Sequence, residues 1–365
     1  MDKNNTIAGG DDKAPGSLMR REIFEQPVVL TRLLQTAGPT LDAVAARAQS
    51  CALAVLAARG SSDNASTYGK YLLESLAALP TVLAAPSLFT LYHTPPRLDH
   101  ALVIGVSQSG AAADVSRVLA EARRQGALTL GITNVAGSLL AQTAEHSVLL
   151  EAGLERALAA TKTVTAQCLV YAMLAARLAK PGKLLPLSAL ADLPAQVSAL
   201  LDHEERMVQA AGRWVERSVS RVAVLGRGFA YGAAQEIALK LKETCYITAE
   251  PYSPADFQHG PLALIEPGYA VIVLLNHDET LGSTLALIDL LQRRGADVLV
   301  FATAEAAAHL PTTSAVSVLS LGAAHSRLSP FLFIAAGQLL ALHWSVRCGH
   351  DPDVSRGLSK VTITL

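Results

Sequence analysis

Residues 101–110 read ALVIGVSQSG, and 169 residues further on residues 270–279 read AVIVLLNHDE. Each is an unbroken run of small and branched apolar residues that stops abruptly at polar ones. A strand covered by helices on both faces needs such continuous hydrophobicity, whereas a strand wet on one face would alternate. Residues 112–125 and 280–294 follow with apolar positions at helical spacing, and each reaches arginine before Gly126 or Gly295, again 169 apart. Upstream, CALAVLAARG ending at Gly60 matches RVAVLGRG ending at Gly228, 168 residues apart. Three landmarks at nearly one spacing mark a duplicated unit. The repeated order of strand, glycine turn, helix, strand, turn, helix and strand predicts an α/β protein of two tandem doubly wound, flavodoxin-like domains with parallel sheets. They are placed at 21–199 and 200–350, between a flexible tail at 1–20 and a C-terminal tail at 351–365.

Composition narrows the function. The chain has 365 residues, 51% apolar and 17% charged, which is ample for two cores. Thirty basic against 31 acidic residues give no global field for nucleic acid or an anionic membrane, so any bound anion must be held locally. Cys51, Cys168, Cys245 and Cys348 are far apart and form no CxxC pair. They read as buried free thiols, with no metal site, in a reducing, cytoplasmic setting. The polar first seventeen residues lack the apolar core of a signal peptide. Residues 328–346 are apolar enough to raise a membrane span, but Ser329, Pro330, Gln338 and His343 favour a buried helix of a layered domain.

Four segments carry candidate chemistry. Ser107, Gln108, Ser109 and Gly110 follow a strand and are expected to open a helix directly, with Ala111–Asp114 as its first turn. Free backbone N–H groups and the positive helix end suit a phosphate there, although serine is also an ordinary helix cap. The second copy carries Asn276, His277, Asp278 and Glu279 at that point, whose carboxylates would repel phosphate. Gly60, Ser61, Ser62, Asp63 and Asn64 form a second strand-to-helix turn that could add hydroxyl contacts. Glu236, Lys240 and Glu243, spaced i, i+4, i+7, share a helix face: either a salt-bridged surface stripe or, with Glu250, Asp256 and His259 close behind, proton-transfer groups near one strand end. Lys360, five residues from the end, is either a solvated tail residue or, folded over a site, an amine able to form a Schiff base.

Together the segments resemble the sugar isomerase (SIS) domain family, most closely the isomerase half of glucosamine-6-phosphate synthase. The motifs are REIFEQP, ARGSSDNAS, SQSG, AGLERALAATKTVTAQ, EIALKLKE, AEPYSPADFQHGPLALI and RGLSKVT, ordered from Arg21 to the C-terminus. The resemblance implies that Ser107, Gln108 and Ser109 hold phosphate and Ser62 contacts the sugar. Gly60, Ser61, Ala160 and Ser359 lie in the matching binding segments. It further implies that Glu243 moves a proton between C1 and C2, and that His259 opens the ring, reaching across a homodimer. Lys360 would form a Schiff base, with Glu236 and Lys240 beneath the site and no cofactor or metal. The chain departs from the family at Arg59 (a cysteine there), Ala112 (threonine), Leu158 (valine) and Ala160 (serine). These changes thin the hydroxyl contacts to the sugar. Residue 2 is Asp2, so no glutaminase domain with a terminal cysteine is expected. The function implied is an isomerising glucosamine-6-phosphate deaminase, taking hexosamine 6-phosphate to fructose 6-phosphate. The alternatives are a related deglycase, a galactosamine-6-phosphate deaminase, an ammonia-dependent aminotransferase/isomerase, or a non-catalytic sugar-phosphate-binding regulator.

Overall fold

The computed structural model describes residues 14–310, 316–354, 356, 357 and 360. The first half holds β1 (Leu53–Ala57), β2 (Thr81–Leu83), β3 (Ala101–Val106), β4 (Leu128–Thr133) and β5 (His146–Leu149). The second holds β6 (Arg221–Leu225), β7 (Thr248–Tyr252), β8 (Ala270–Leu275), β9 (Asp297–Ala302) and β10 (Val316–Ser320). Every strand pairing is parallel, in the orders β2-β1-β3-β4-β5 and β7-β6-β8-β9-β10. The two halves therefore share one topology. Strand order reverses between β1 and β3, and again between β6 and β8, where doubly wound folds open a crevice at the carboxyl ends of the strands.

The apolar runs that signalled the repeat are β3 and β8, buried at all six positions. The sequence pattern showed three strands per half, and the structure has five. The edge strand β2 is only TVL with Thr81 buried, and β5 is HSVL with Val148 buried, so neither carries a continuous apolar signal. The helix after SQSG is also shorter than expected, running Ala113–Arg124, because Gly110 has φ +64° and Ala112 is extended. Of the four cysteines, Cys168 and Cys245 are buried, while Cys51 is half-buried and Cys348 exposed, lying just past the end of the last helix.

One apolar core runs through both halves, joining Met19, Leu56, Leu174, Val224, Ile237 and Trp344. The helix Ser329–Arg347 lies inside it; it is the one described helix long and apolar enough to cross a membrane, and 89% of that apolar stretch is buried in protein. The polar residues that interrupt it are partnered. Gln338 accepts from Gln26 Nε2 (3.0 Å) and donates to the Thr161 carbonyl (3.2 Å), and Ser345 donates to the Thr244 carbonyl (2.8 Å). Helix Tyr231–Cys245 packs between this helix and Ser61–Ala77 of the first half. Both approaches depend on glycine. A Cβ on Gly337 would fall 2.2 Å from Ile237 Cγ1, and one on Gly232 would fall 2.6 Å from the Asn64 carbonyl oxygen. Gly337→Ala should therefore overpack the seam that seats helix Tyr231–Cys245. We expect a loss of about 1–3 kcal/mol, read as a lower urea midpoint at unchanged m value.

Candidate active site

The register of β1 on β3, from Leu53 opposite Ala101 to Ala57 opposite Gly105, brings their carboxyl ends level. Two turns face each other there. In the first, Gly60 has φ +56° and ψ −131°, a conformation only glycine adopts readily, and it leads into Ser61–Ala77. In the second, the Ser107 N–H donates to Ile132 O (3.0 Å), the Gly110 N–H to Ser107 O (3.1 Å), and the Ala111 N–H to Ser109 Oγ (3.3 Å). A Cβ at Gly110 would sit 2.1 Å from Ser138 Oγ, so the loop closes only with glycine. Among the described residues, the Ser107 hydroxyl and the Gln108 amide make no side-chain hydrogen bond, leaving them available to a ligand.

Beneath the first turn lies a buried charged group. Lys240 Nζ is 2.5 Å from Glu243 Oε2, 3.4 Å from Glu236 Oε1 and 3.3 Å from Ser61 Oγ. Glu236 also accepts from Ser61 Oγ (3.0 Å) and Asn64 Nδ2 (2.8 Å). Glu236 and Lys240 are fully buried, so this is not the surface stripe that the i, i+4, i+7 spacing also allowed; only Glu243 retains exposure, with 22% of its side chain accessible. Burial pushes the Glu236 carboxyl up, opposed by Lys240. Burial alone would lower the Lys240 amine, but Glu236 and Glu243 outweigh it and hold the amine well above the usual lysine value. One fixed cation thus lies between two carboxylates, and Glu243 is the member that faces outward.

Lys360 folds back onto the first half. Its Nζ donates to Ala157 O (2.6 Å) and lies 3.2 Å from Glu155 Oε2. Glu155 has no exposed side-chain surface; it accepts from the Thr161 N–H (3.0 Å), the Thr163 N–H (3.1 Å) and Thr163 Oγ1 (2.8 Å). Asn134 ties this segment to the SQSG loop: its N–H donates to Gln108 O (3.0 Å), its Oδ1 accepts from the Ala152 N–H (2.9 Å), and its Nδ2 donates to Gly153 O (2.7 Å). Ala160 is half-buried in the same segment. His259 caps the short helix Pro254–Gln258, is exposed, and its backbone N–H donates to Asp256 O (3.0 Å). Asp256 is exposed on that helix and Glu250 on β7, so the acids expected beside Lys240 face solvent instead. Ser359 lies outside the described residues.

The SIS domain family matches this chain twice, over residues 50–177 and 217–345. The chain belongs to the SIS domain family. It is 33% identical over 348 residues to the isomerizing glutamine–fructose-6-phosphate aminotransferase of Aquifex aeolicus, covering 95% of this chain and 57% of that protein. The chain thus spans less than two thirds of that relative's length. Its structure is similar to the C-terminal domain of glucosamine-fructose-6-phosphate aminotransferase from Francisella tularensis, with a TM-score of 0.83 and 26% identity over 94% of this chain and 99% of that one. It is also similar to a protein from Silicibacter pomeroyi DSS-3 described as a phosphosugar isomerase, with a TM-score of 0.80 and 32% identity over 92% and 99% of the two chains.

The two SIS copies differ at their crevices in a way their sequences only hinted at. In the second, Asp278 Oδ1 accepts from the Thr280 N–H (2.8 Å) and Oγ1 (2.6 Å), so a side-chain carboxylate occupies the turn where a phosphate would dock. In the first, Arg59 Nε donates to Asp114 (2.8 Å), and 168 to 169 residues on Arg227 Nη1 donates to Ser283 (2.8 Å). The residues that the sequence reading passed over are Asn134, Glu155 and the pairing of Arg59 with Asp114. Glu155 lies inside a quoted motif, but a lone polar residue there carries no periodic signal, and Asn134 acts through loop contacts that sequence spacing does not reveal.

Glu155 also gives the SIS site an acid-sensitive element. Burial raises its carboxyl, but Lys360 and the Thr161 and Thr163 donors together hold it below the usual glutamate value. A carboxyl depressed in the folded state stabilises above its unfolded value, about 4.3, and that stability is lost as pH falls through the folded value. Glu155→Gln should therefore flatten the acid limb of stability below about pH 4.3, measured as urea midpoints from neutral pH downward.

Proposed function

We propose that this SIS protein is an isomerising deaminase, converting a hexosamine 6-phosphate, glucosamine 6-phosphate in the first place, and water to fructose 6-phosphate and ammonia. The observation that carries the reading is Glu243: a carboxylate held at 2.5 Å by a buried lysine, partly open, on the helix whose Glu236 and Lys240 reach Ser61 beside the SQSG crevice. Such a group suits proton transfer between adjacent carbons.

In this scheme Ser107, Gln108, Ser109 and backbone N–H groups take the phosphate, with Gly60, Ser61 and Ser62 lining the facing turn. His259 assists ring opening, and as an exposed group it fits delivery across a homodimer. Glu243 removes the C2 proton and returns it to C1. The aldose amine thereby becomes a C2 ketimine with a C1 hydroxymethyl group. The Lys360 amine displaces ammonia to give a lysine ketimine. Water adds at C2, the C–N bond breaks, and the free ketose and the lysine amine are regenerated. The identity to aminotransferases favours a second reading, in which the same site runs towards the amino sugar with ammonia supplied.

Wild-type protein incubated with glucosamine 6-phosphate should release ammonia and fructose 6-phosphate in equal amounts; no ammonia from any hexosamine 6-phosphate would sink the proposal. Glu243→Gln should lower turnover by about 10²–10⁴ with substrate binding largely kept. Mixing inactive Glu243→Gln and His259→Ala proteins should restore part of the activity if His259 crosses between subunits. No recovery after subunit exchange would confine both residues to one chain's site.

A further inference from the structure

The N-terminal helix Ser17–Phe24 belongs to neither matched SIS copy, yet it contacts both ends of the Lys360 arrangement. Its first-turn N–H groups have no cap of their own, since the N-cap residue is Gly16. Asp353, seven residues before Lys360, fills that role from the far end of the chain. Its Oδ2 accepts from the Leu18 N–H (2.9 Å) and its Oδ1 from the Met19 N–H (2.8 Å), while Asp351 accepts from the Gly16 N–H (3.0 Å). One turn further on, the buried Glu22 carboxylate accepts from the backbone N–H groups of Arg156 and Ala157. The same Ala157 gives its carbonyl to Lys360. Glu25, just past the helix, pairs with Lys162, which in turn donates to Leu154 O (2.9 Å).

These bonds form a closed ring: Asp353 to the helix, Glu22 to residues 156 and 157, that segment to the Lys360 amine, and the chain from Lys360 back to Asp353. We infer that Glu22 and Asp353 are positioning residues, which set the place of the Lys360 amine by fixing the segment it leans on and the root of the tail that bears it. Both act through backbone N–H groups, Glu22 through those of Arg156 and Ala157 and Asp353 through those of Leu18 and Met19. The catalytic value of this arrangement rests on the reading that Lys360 is the reacting amine, but the placement itself does not.

Two measurements on the full chain separate the inference from that reading. The first is brief acetic anhydride labelling without substrate, with modification of Lys360 quantified by mass spectrometry against the exposed Lys183. Glu22→Gln should raise the Lys360 to Lys183 labelling ratio severalfold as the amine leaves its partners. Asp353→Asn, on a half-buried side chain and gentler to the fold, should move it the same way. The second is ammonia release, where both variants should lose about 10- to 10²-fold in kcat with little change in KM, since phosphate binding is untouched. An unchanged labelling ratio in both variants, with native circular dichroism, overturns the positioning role even if wild-type protein releases ammonia. A raised ratio in a protein that releases no ammonia from any hexosamine 6-phosphate upholds the positioning and overturns only the reaction assigned above.

Discussion

The ammonium of Lys240 is the interaction on which the rest of the site depends. Leaving a lone ammonium in a protein interior is costly, and removing one partner of a buried pair typically costs about 3–5 kcal/mol. Here the charge is met by Glu236 and Glu243 from its own helix and by Ser61 from the other half of the molecule. Glu236 repeats the crossing through Ser61 and Asn64. The two halves are thus joined at the site by polar contacts as well as by the apolar layer around them. Lys240 and Glu236 are enclosed, and Glu243 is the member of the group that keeps exposed surface.

Much of the fold was legible because a strand covered on both faces cannot hide its hydrophobicity. ALVIGV and AVIVLL announced β3 and β8, and their spacing announced the duplication. The edge strands were not legible, since TVL and HSVL are too short and too wet to differ from loops. At the site, Glu236, Lys240 and Glu243 could be placed on one face by helical spacing, but whether that face met solvent or protein was a tertiary matter, decided by Gly232 against Asn64 and Gly337 against Ile237. The return of Lys360 to Glu155 spans 205 residues and leaves no periodic trace.

Comparison of the copies shows how duplicated units diverge. The arginine that ends the first strand recurs, but its partner changes from buried Asp114 to Ser283. The turn after the third strand changes from SQSG, with free hydroxyl and amide groups, to an Asp278 turn that satisfies its own N–H groups. The same switch-point geometry is kept open in one copy and closed from within in the other, while the closed copy contributes the helix that carries Glu243.

The cap that Asp353 places on Ser17–Phe24 joins residues 335 positions apart in the chain. Contacts of such separation form late, because loop-closure entropy must be met before they contribute, and synthesis delivers the N-terminal partner long before the C-terminal one. The helix therefore depends for its cap on a residue from the far end of the chain. The turn at SQSG is built from contacts within the first half, so it can be complete at a stage when Asp353 has yet to reach the helix.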